Sequence, residues 1–224
     1  MIHIEQLTIS FGRTVALDAL DLAIRPGVTG VFGPNGSGKS TLLRAVAGLL
    51  RPTRGRVAFN ERTITAADER FRRLVGYAGH DSGLYGRLSL RENLTLFARL
   101  HGAPGRRSDE VIAQLGLDEH AGKLVGDLSA GLKRRAAVAR ALLHEPDLLL
   151  LDEPYANLDD DAAALVSAAI QGWGAPGRTA LIATHGAKNL KRWVDAGIIL
   201  QRGRVSTYGR YGVQHRFRSE VTDH

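Results

Sequence analysis

Apolar and polar residues alternate early in the chain, at Ile2 and Ile4 and again at Leu20, Leu22 and Ile24. This period of two predicts half-buried strands over residues 2–9 and 15–24. Arg25-Pro26-Gly27 reads as a turn, and the apolar residues after it predict a short strand over 28–32. A glycine-rich loop then opens a helix that runs to about Leu50, where Arg51-Pro52-Thr53-Arg54-Gly55 stops it. Short strands are expected near 56–59 and 74–78. Between about 80 and 145 the pattern turns helical. Ser89-Leu90-Arg91-Glu92 has the form of a capping box, and Ser108 is expected to cap another helix. From Leu148 onward strand and helix alternate, over 148–152, 160–171, 179–183, 187–193 and 197–201. Such alternation implies an α/β protein with a parallel sheet covered on both faces. The expected organisation is a single domain over 1–224. It has a core of about 1–79 and 146–208, a helical subdomain of about 80–145 inserted into it, and a tail over 209–224.

Composition narrows the picture. A chain of 224 residues that is 44% hydrophobic can bury one sizeable core with a subdomain attached. No stretch approaches the ~20 apolar residues that span a bilayer, and the greasiest run is Leu148–Leu151. The first residues lack a basic region followed by an apolar one, so no signal peptide is expected and the chain is placed in the cytosol or on a membrane's cytosolic face. The absence of cysteine excludes disulfides, thiolate zinc sites and cysteine nucleophiles. The net charge of +7 favours an anionic partner. The arginines are scattered rather than gathered into a run, which argues against a nucleic-acid arm.

Gly33-Pro34-Asn35-Gly36-Ser37-Gly38-Lys39-Ser40-Thr41 follows a predicted strand and opens a predicted helix. A triphosphate wrapped by backbone N–H groups leaves no room for side chains, hence the glycines, and the helix points its positive end at the phosphates. This is a full Walker A pattern. Lys39 is expected to bridge the β- and γ-phosphates of ATP, Ser40 to ligate Mg²⁺, and Thr41 to support the α-phosphate side. Leu148–Leu151 followed by Asp152-Glu153 has the form of a Walker B strand that presents two carboxylates at its end. Asp152 would orient Mg²⁺ and Glu153 would activate the attacking water as general base.

Leu128-Ser129-Ala130-Gly131-Leu132-Lys133-Arg134-Arg135 lies shortly upstream of that strand. Ser129 is a natural helix N-cap. Beside a Walker B pair, this segment also resembles the signature of ABC transporter ATPases. Asn157-Leu158-Asp159 resembles the family's D-loop, His185 after a Leu181-Ile182-Ala183 strand resembles its switch histidine, and Phe11 stands where the family sets a ring against adenine, or else is plain core. The resemblance covers residues 1 to about 208. It implies a P-loop NTPase fold with a parallel-sheet core, an antiparallel edge sheet and an inserted helical subdomain. It also implies a head-to-tail dimer in which each ATP lies between Walker A of one copy and Ser129, Ala130 and Gly131 of the other. Separate transmembrane permease subunits would be driven from the cytoplasmic face of the inner membrane, with no nucleic acid as partner.

Three positions depart from the commonest form of that family. Ala130 replaces a signature glycine, Leu132 replaces a glutamine, and His80 stands where most relatives have the glutamine that reaches Mg²⁺ and water. Mg²⁺ prefers oxygen donors, so His80 is expected to act through water or as a hinge, or to be a surface histidine in a loop. Gly79-His80, Leu128-Ser129-Ala130-Gly131 and Tyr155 together resemble the ATPase subunit of the haem exporter of bacterial cytochrome c maturation; the alternatives are an exporter ATPase for another cargo, a drug, lipid or polysaccharide, or a soluble ABC ATPase outside transport. Haem itself is not expected to bind this chain. Leu84, Tyr85 and Leu88 would either receive the permease or pack locally. The tail from Arg210 is basic and polar.

Overall fold

The computed structural model describes residues 1–65, 68–186, 190 and 193–210. The chain begins with strands β1 (Ile2–Phe11), β2 (Thr14–Ile24) and β3 (Gly27–Phe32), then helix α1 (Lys39–Val46) and strands β4 (Arg54–Phe59) and β5 (Arg62–Thr63). Helix α2 (Glu69–Leu74) leads to β6 (Val75–Ala78), and helices α3 (Leu90–His101), α4 (Arg106–Gln114) and α5 (Ala130–Leu142) follow. Strand β7 (Leu148–Asp152), helix α6 (Asp160–Trp173) and strands β8 (Thr179–Thr184), β9 (Ala196–Gln201) and β10 (Arg204–Arg210) complete the order. The chain folds as two compact units, one made of residues 1–72 with the segment from Ala175 onward, the other of Arg73–Gly174. Among the described residues, no helix is long and apolar enough to cross a membrane.

In the first unit β2, β1, β4 and β5 form an antiparallel sheet in that order. The apolar phase of β1 switches midway. Ile2 and Ile4 are buried, and so are Leu7 and Ile9. A bulge reconciles the two phases, with register shifts after Ile4 and Leu7 and a positive φ at Gln6. The same happens on β2, where Leu17 gives way to Leu20, Leu22 and Ile24 across a positive φ at Ala19. Side chains satisfy the two backbone N–H groups displaced from the ladder. Gln6 N–H donates to Asp21 Oδ1 at 2.8 Å, and Ala19 N–H to Thr8 Oγ1 at 3.1 Å. Strand β3 runs parallel between β8 and β9, pairing Gly27 with Thr179 and Thr29 with Ala196. Every residue of β8 is buried, as a strand covered on both faces requires. Antiparallel β10 pairs with β9.

In the second unit β6 and β7 pair in parallel, from Val75–Leu148 to Ala78–Leu151. The capping box at α3 forms as expected: Ser89 Oγ accepts Glu92 N–H at 3.2 Å, and Glu92 Oε2 accepts Ser89 N–H at 2.7 Å. The reciprocal bonds also hold the Glu92 carboxyl below the ordinary carboxylate range. One turn into the helix, Asn93 is fully buried. Its amide donates to the carbonyls of Tyr85 at 3.0 Å and Ser89 at 2.9 Å, while its Oδ1 accepts Tyr85 N–H at 2.7 Å. The loop before α3 is thereby clamped from inside.

Two local expectations fail. Helix α1 ends at Val46 rather than near Leu50: Gly48 takes a left-handed φ, and the N–H groups of Gly48 and Leu49 fold back to Ala45 and Arg44 carbonyls. Ser108 does not cap α4, because the helix begins at Arg106 and carries Ser108 buried in its interior. The helix expected over 187–193 falls mostly outside the described residues, as does the tail from 211. Strands β5 and β10 and helix α2 carry too little periodicity to have been expected.

Candidate nucleotide-binding site

The loop from Gly33 to Gly38 leaves the buried end of β3 and enters α1. Gly33 and Gly38 both take positive φ, at 145° and 106°. A Cβ on Gly33 would overlap the Leu200 carbonyl oxygen, and one on Gly38 would lie 2.7 Å from Leu17 Cδ2 and 2.8 Å from Ala16 O. Only glycine fits either place. The loop is tied down by backbone bonds, Ser37 N–H to Pro34 O and Gly203 N–H to Ser37 O. Lys39 is buried and folds back over the loop, donating to Gly33 O at 2.7 Å and Pro34 O at 3.1 Å. No side chain caps α1, and no acidic residue sits in its first turn. A helix start of this kind, behind an open loop, suits an anion. Pro34, Asn35, Gly36 and Ser40 are exposed, Thr41 is half-buried, and Ser37 is buried with no hydrogen-bond partner for its hydroxyl among the described residues.

In the second unit the four leucines of β7 are completely buried and carry Asp152 to the strand's end. Asp152 is itself buried, and its Oδ1 has no hydrogen-bond partner among the described residues. Such a carboxylate is a hard oxygen donor suited to a cation like Mg²⁺, and the exposed Ser40 hydroxyl is a second donor of the same chemistry. Glu153 adopts φ +51°, an uncommon conformation for a residue with a side chain, and its carbonyl accepts Ala156 N–H at 3.1 Å. Tyr155 follows, its phenol pushed up to about 12 chiefly by burial. Asp159 caps α6 by accepting Ala162 N–H at 2.7 Å.

Ser129 is the N-cap of α5, accepting Leu132 N–H at 3.3 Å, and Ala130 beside it is exposed. A Cβ on Gly131 would meet Asn157 O at 2.6 Å, so the start of α5 packs against the 157–159 loop too closely for any other residue. Phe11, at the end of β1, is 51% exposed, which removes plain core as its role. His185 is exposed just beyond β8, where Thr184 Oγ1 accepts Gly186 N–H at 3.1 Å. His80 is exposed after β6, and its backbone carbonyl is engaged by Arg134.

Arg134 is the residue that sequence reasoning passed over. It is buried on α5 and reaches the backbone on both sides of the β6–β7 pair. A signal was present: Arg134, Val138, Ala141 and Leu142 share one helix face, and all are buried, so a cation stands in an apolar stripe.

A glycine-lined phosphate loop on a parallel sheet, with a separate strand ending in paired acids, defines a P-loop nucleotide-binding protein. A family model described as ABC transporter matches residues 17–156, more than half of the chain. The chain belongs to the ABC transporter family and is one of its ATP-binding cassettes, with the fold of an ABC ATPase. It is 34% identical over 205 residues to a Nod factor export ATP-binding protein I of Rhizobium sp. (strain N33), covering 89% of this chain and 67% of that protein. It is 35% identical over 204 residues to the daunorubicin resistance ATP-binding protein DrrA3 of Streptomyces coeruleorubidus, covering 89% and 65%. The chain thus spans about two thirds of the length of these relatives. Among solved structures it resembles the dimeric post-hydrolysis ATP-binding cassette MJ0796 bound to ADP and Pi, with a TM-score of 0.86 and 26% identity over 94% of this chain and 99% of that one. Neither relative is named for haem.

Proposed function

We propose that this chain is the ATP-hydrolysing motor of an ABC exporter, working as a head-to-tail dimer on separate permease subunits at the cytosolic face of a membrane. The observation that carries this reading is the phosphate loop, with Gly33 and Gly38 held in left-handed backbone and Lys39 folded over the rim of an uncapped helix start. In the proposed complex backbone N–H groups of residues 33–41 hold the phosphates, and Lys39 turns from its carbonyl partners to the β- and γ-oxygens. The ring of Phe11 stacks on adenine. Ser129, Ala130 and Gly131 of the second copy contact the γ-phosphate, and His185 lies against the same group. Ser40 and Asp152 would hold Mg²⁺, which when bound spreads the charge of the β- and γ-phosphates. Glu153 takes the proton from the water whose oxygen attacks γ-phosphorus, the β–γ bridging bond breaks, and ADP carries away the electron pair. His80, exposed and bound through its carbonyl, acts as a hinge or through water.

The names of the two relatives support export of a Nod factor or of a drug as the cargo. A second reading, haem export, is favoured by Gly79-His80, Leu128-Ser129-Ala130-Gly131 and Tyr155. Co-purification from the native membrane distinguishes them by the permease recovered. The motor itself is tested by Glu153→Gln. Turnover is expected to fall by about 10²–10⁴ while ATP still binds, and ATP is expected to accumulate the dimer on gel filtration. Wild-type turnover in that variant would remove Glu153 as the base.

A further inference from the structure

We propose that Arg134 is a positioning residue for Glu153, resting on the reading of Glu153 as the base. Arg134 is 8% exposed, and no carboxylate among the described residues lies within ion-pair distance of it. Its guanidinium donates to three backbone carbonyls: Nη1 to Gly79 O at 2.7 Å and to Asp152 O at 3.2 Å, and Nη2 to His80 O at 3.5 Å. Burying a full charge is costly unless it is hydrogen-bonded, and the planar fork of arginine suits several fixed acceptors at once, which lysine cannot match.

The choice of acceptors gives the residue its role. Asp152 O belongs to the peptide that joins Asp152 to Glu153. Holding that oxygen fixes the plane of the peptide, and Glu153 then turns out of the strand at φ +51°. A left-handed backbone at a residue with a side chain persists only where its surroundings enforce it. Arg134 grips this peptide through its carbonyl oxygen. The same group holds Gly79 and His80, and it projects from the helix that Ser129 caps. The general base, the His80 loop and the signature serine are therefore referred to one guanidinium and keep their mutual geometry through turnover.

The test is a set of variants in the full chain, assayed for ATP binding, KM and kcat. Arg134→Gln is expected to lower kcat about 10- to 100-fold, the penalty for a misplaced reacting group, with nucleotide affinity and KM within about twofold of wild type. Arg134→Lys, which keeps the charge and one donor direction, is expected to fall between. In a Glu153→Gln background, single-turnover rates should lose less than about twofold more from Arg134→Gln, because the arginine acts through that carboxylate. The proposal is overturned by unchanged kcat in Arg134→Gln, by an equal loss in both backgrounds, or by loss of nucleotide binding in both Arg134 variants, which would mark a purely structural residue. Normal turnover of Glu153→Gln alone would sink the assignment of the base; an inactive Glu153→Gln beside a fully active Arg134→Gln would sink only the positioning role.

Discussion

The first unit shapes its phosphate loop mainly with backbone, through positive φ at Gly33 and Gly38 and the bond from Gly203 N–H to Ser37 O, whereas the second sets its acidic strand end with a buried side chain. Gly33, Gly38 and Lys39 are consecutive parts of one turn, and the bonds from Lys39 go to Gly33 and Pro34. In the second unit Arg134 joins Gly79 to Asp152, Arg140 donates to Tyr77 O at 2.9 Å while lying over the Phe97 ring, and Asn93 clamps the loop before its own helix. The first arrangement depends on backbone shape and tolerates almost no substitution. The second depends on buried polar side chains, each able to fail separately. A cassette that must hold one anion firmly and move other groups during turnover benefits from both kinds of construction.

The contrast is broken most severely at Gly33. Gly33→Ala combines an overlap with the Leu200 carbonyl and a forbidden φ, for an expected loss of about 3 kcal/mol or more. Thermal unfolding should drop, and ATP affinity should drop with it. Asn93→Ala is next. Emptying a fully buried site and leaving Tyr85 N–H without its acceptor should cost about 2–3 kcal/mol. Here nucleotide affinity of the folded protein should hold, and a parallel fall in affinity would show that the two constructions are not separable.

Acidity gives a third test. His144 Nε2 lies 3.1 Å from Val75 O and fits the tautomer that donates there, while Nδ1 is buried without a partner among the described residues. The ring also stacks on His101 with centroids 4.0 Å apart. Burial first, then the charge of His101, lowers the imidazole to about 4, and His101 is lowered by its own burial. The folded value lies below the unfolded one, so the unfolded chain takes up the proton first. Stability is complete above about pH 6.5 and falls as pH drops towards about 4, by up to about 3 kcal/mol from His144. His144→Gln should flatten that part of the pH dependence in urea melts; an unchanged slope between pH 7 and 4.5 would refute it. The smallest effect is at Ser89, where Ser89→Ala removes one cap and should cost about 1 kcal/mol, seen as a few degrees in melting temperature.

What could be read in the sequence follows the same division. The phosphate loop, the capping box at Ser89 and the leucines of β7 announce themselves because short-range chemistry dictates each of them. The matched bulges at Gln6 and Ala19 were hidden in plain sight as a change of apolar phase from Ile4 to Leu7. A serine near a helix start reads as its cap, but α4 begins at Arg106 and carries Ser108 inside it. Arg134, Asn93 and the His101–His144 stack were illegible for another reason. Their partners lie tens of residues away or are backbone atoms, and no local pattern records which carbonyl a buried donor will find. The strands β5 and β10 are short or edge-like and take their form from the strands they join.

Strand β3 carries a consequence for how the protein is made. Its partners on either side, β8 and β9, are translated about 150 residues after it, since Gly27 pairs with Thr179 and Thr29 with Ala196. A nascent chain on the ribosome therefore holds a buried-type strand without neighbours while the whole of Arg73–Gly174 emerges and gathers its own contacts. The nucleotide loop that β3 supports is translated before the second unit, yet it acquires its lasting shape only after that unit has emerged.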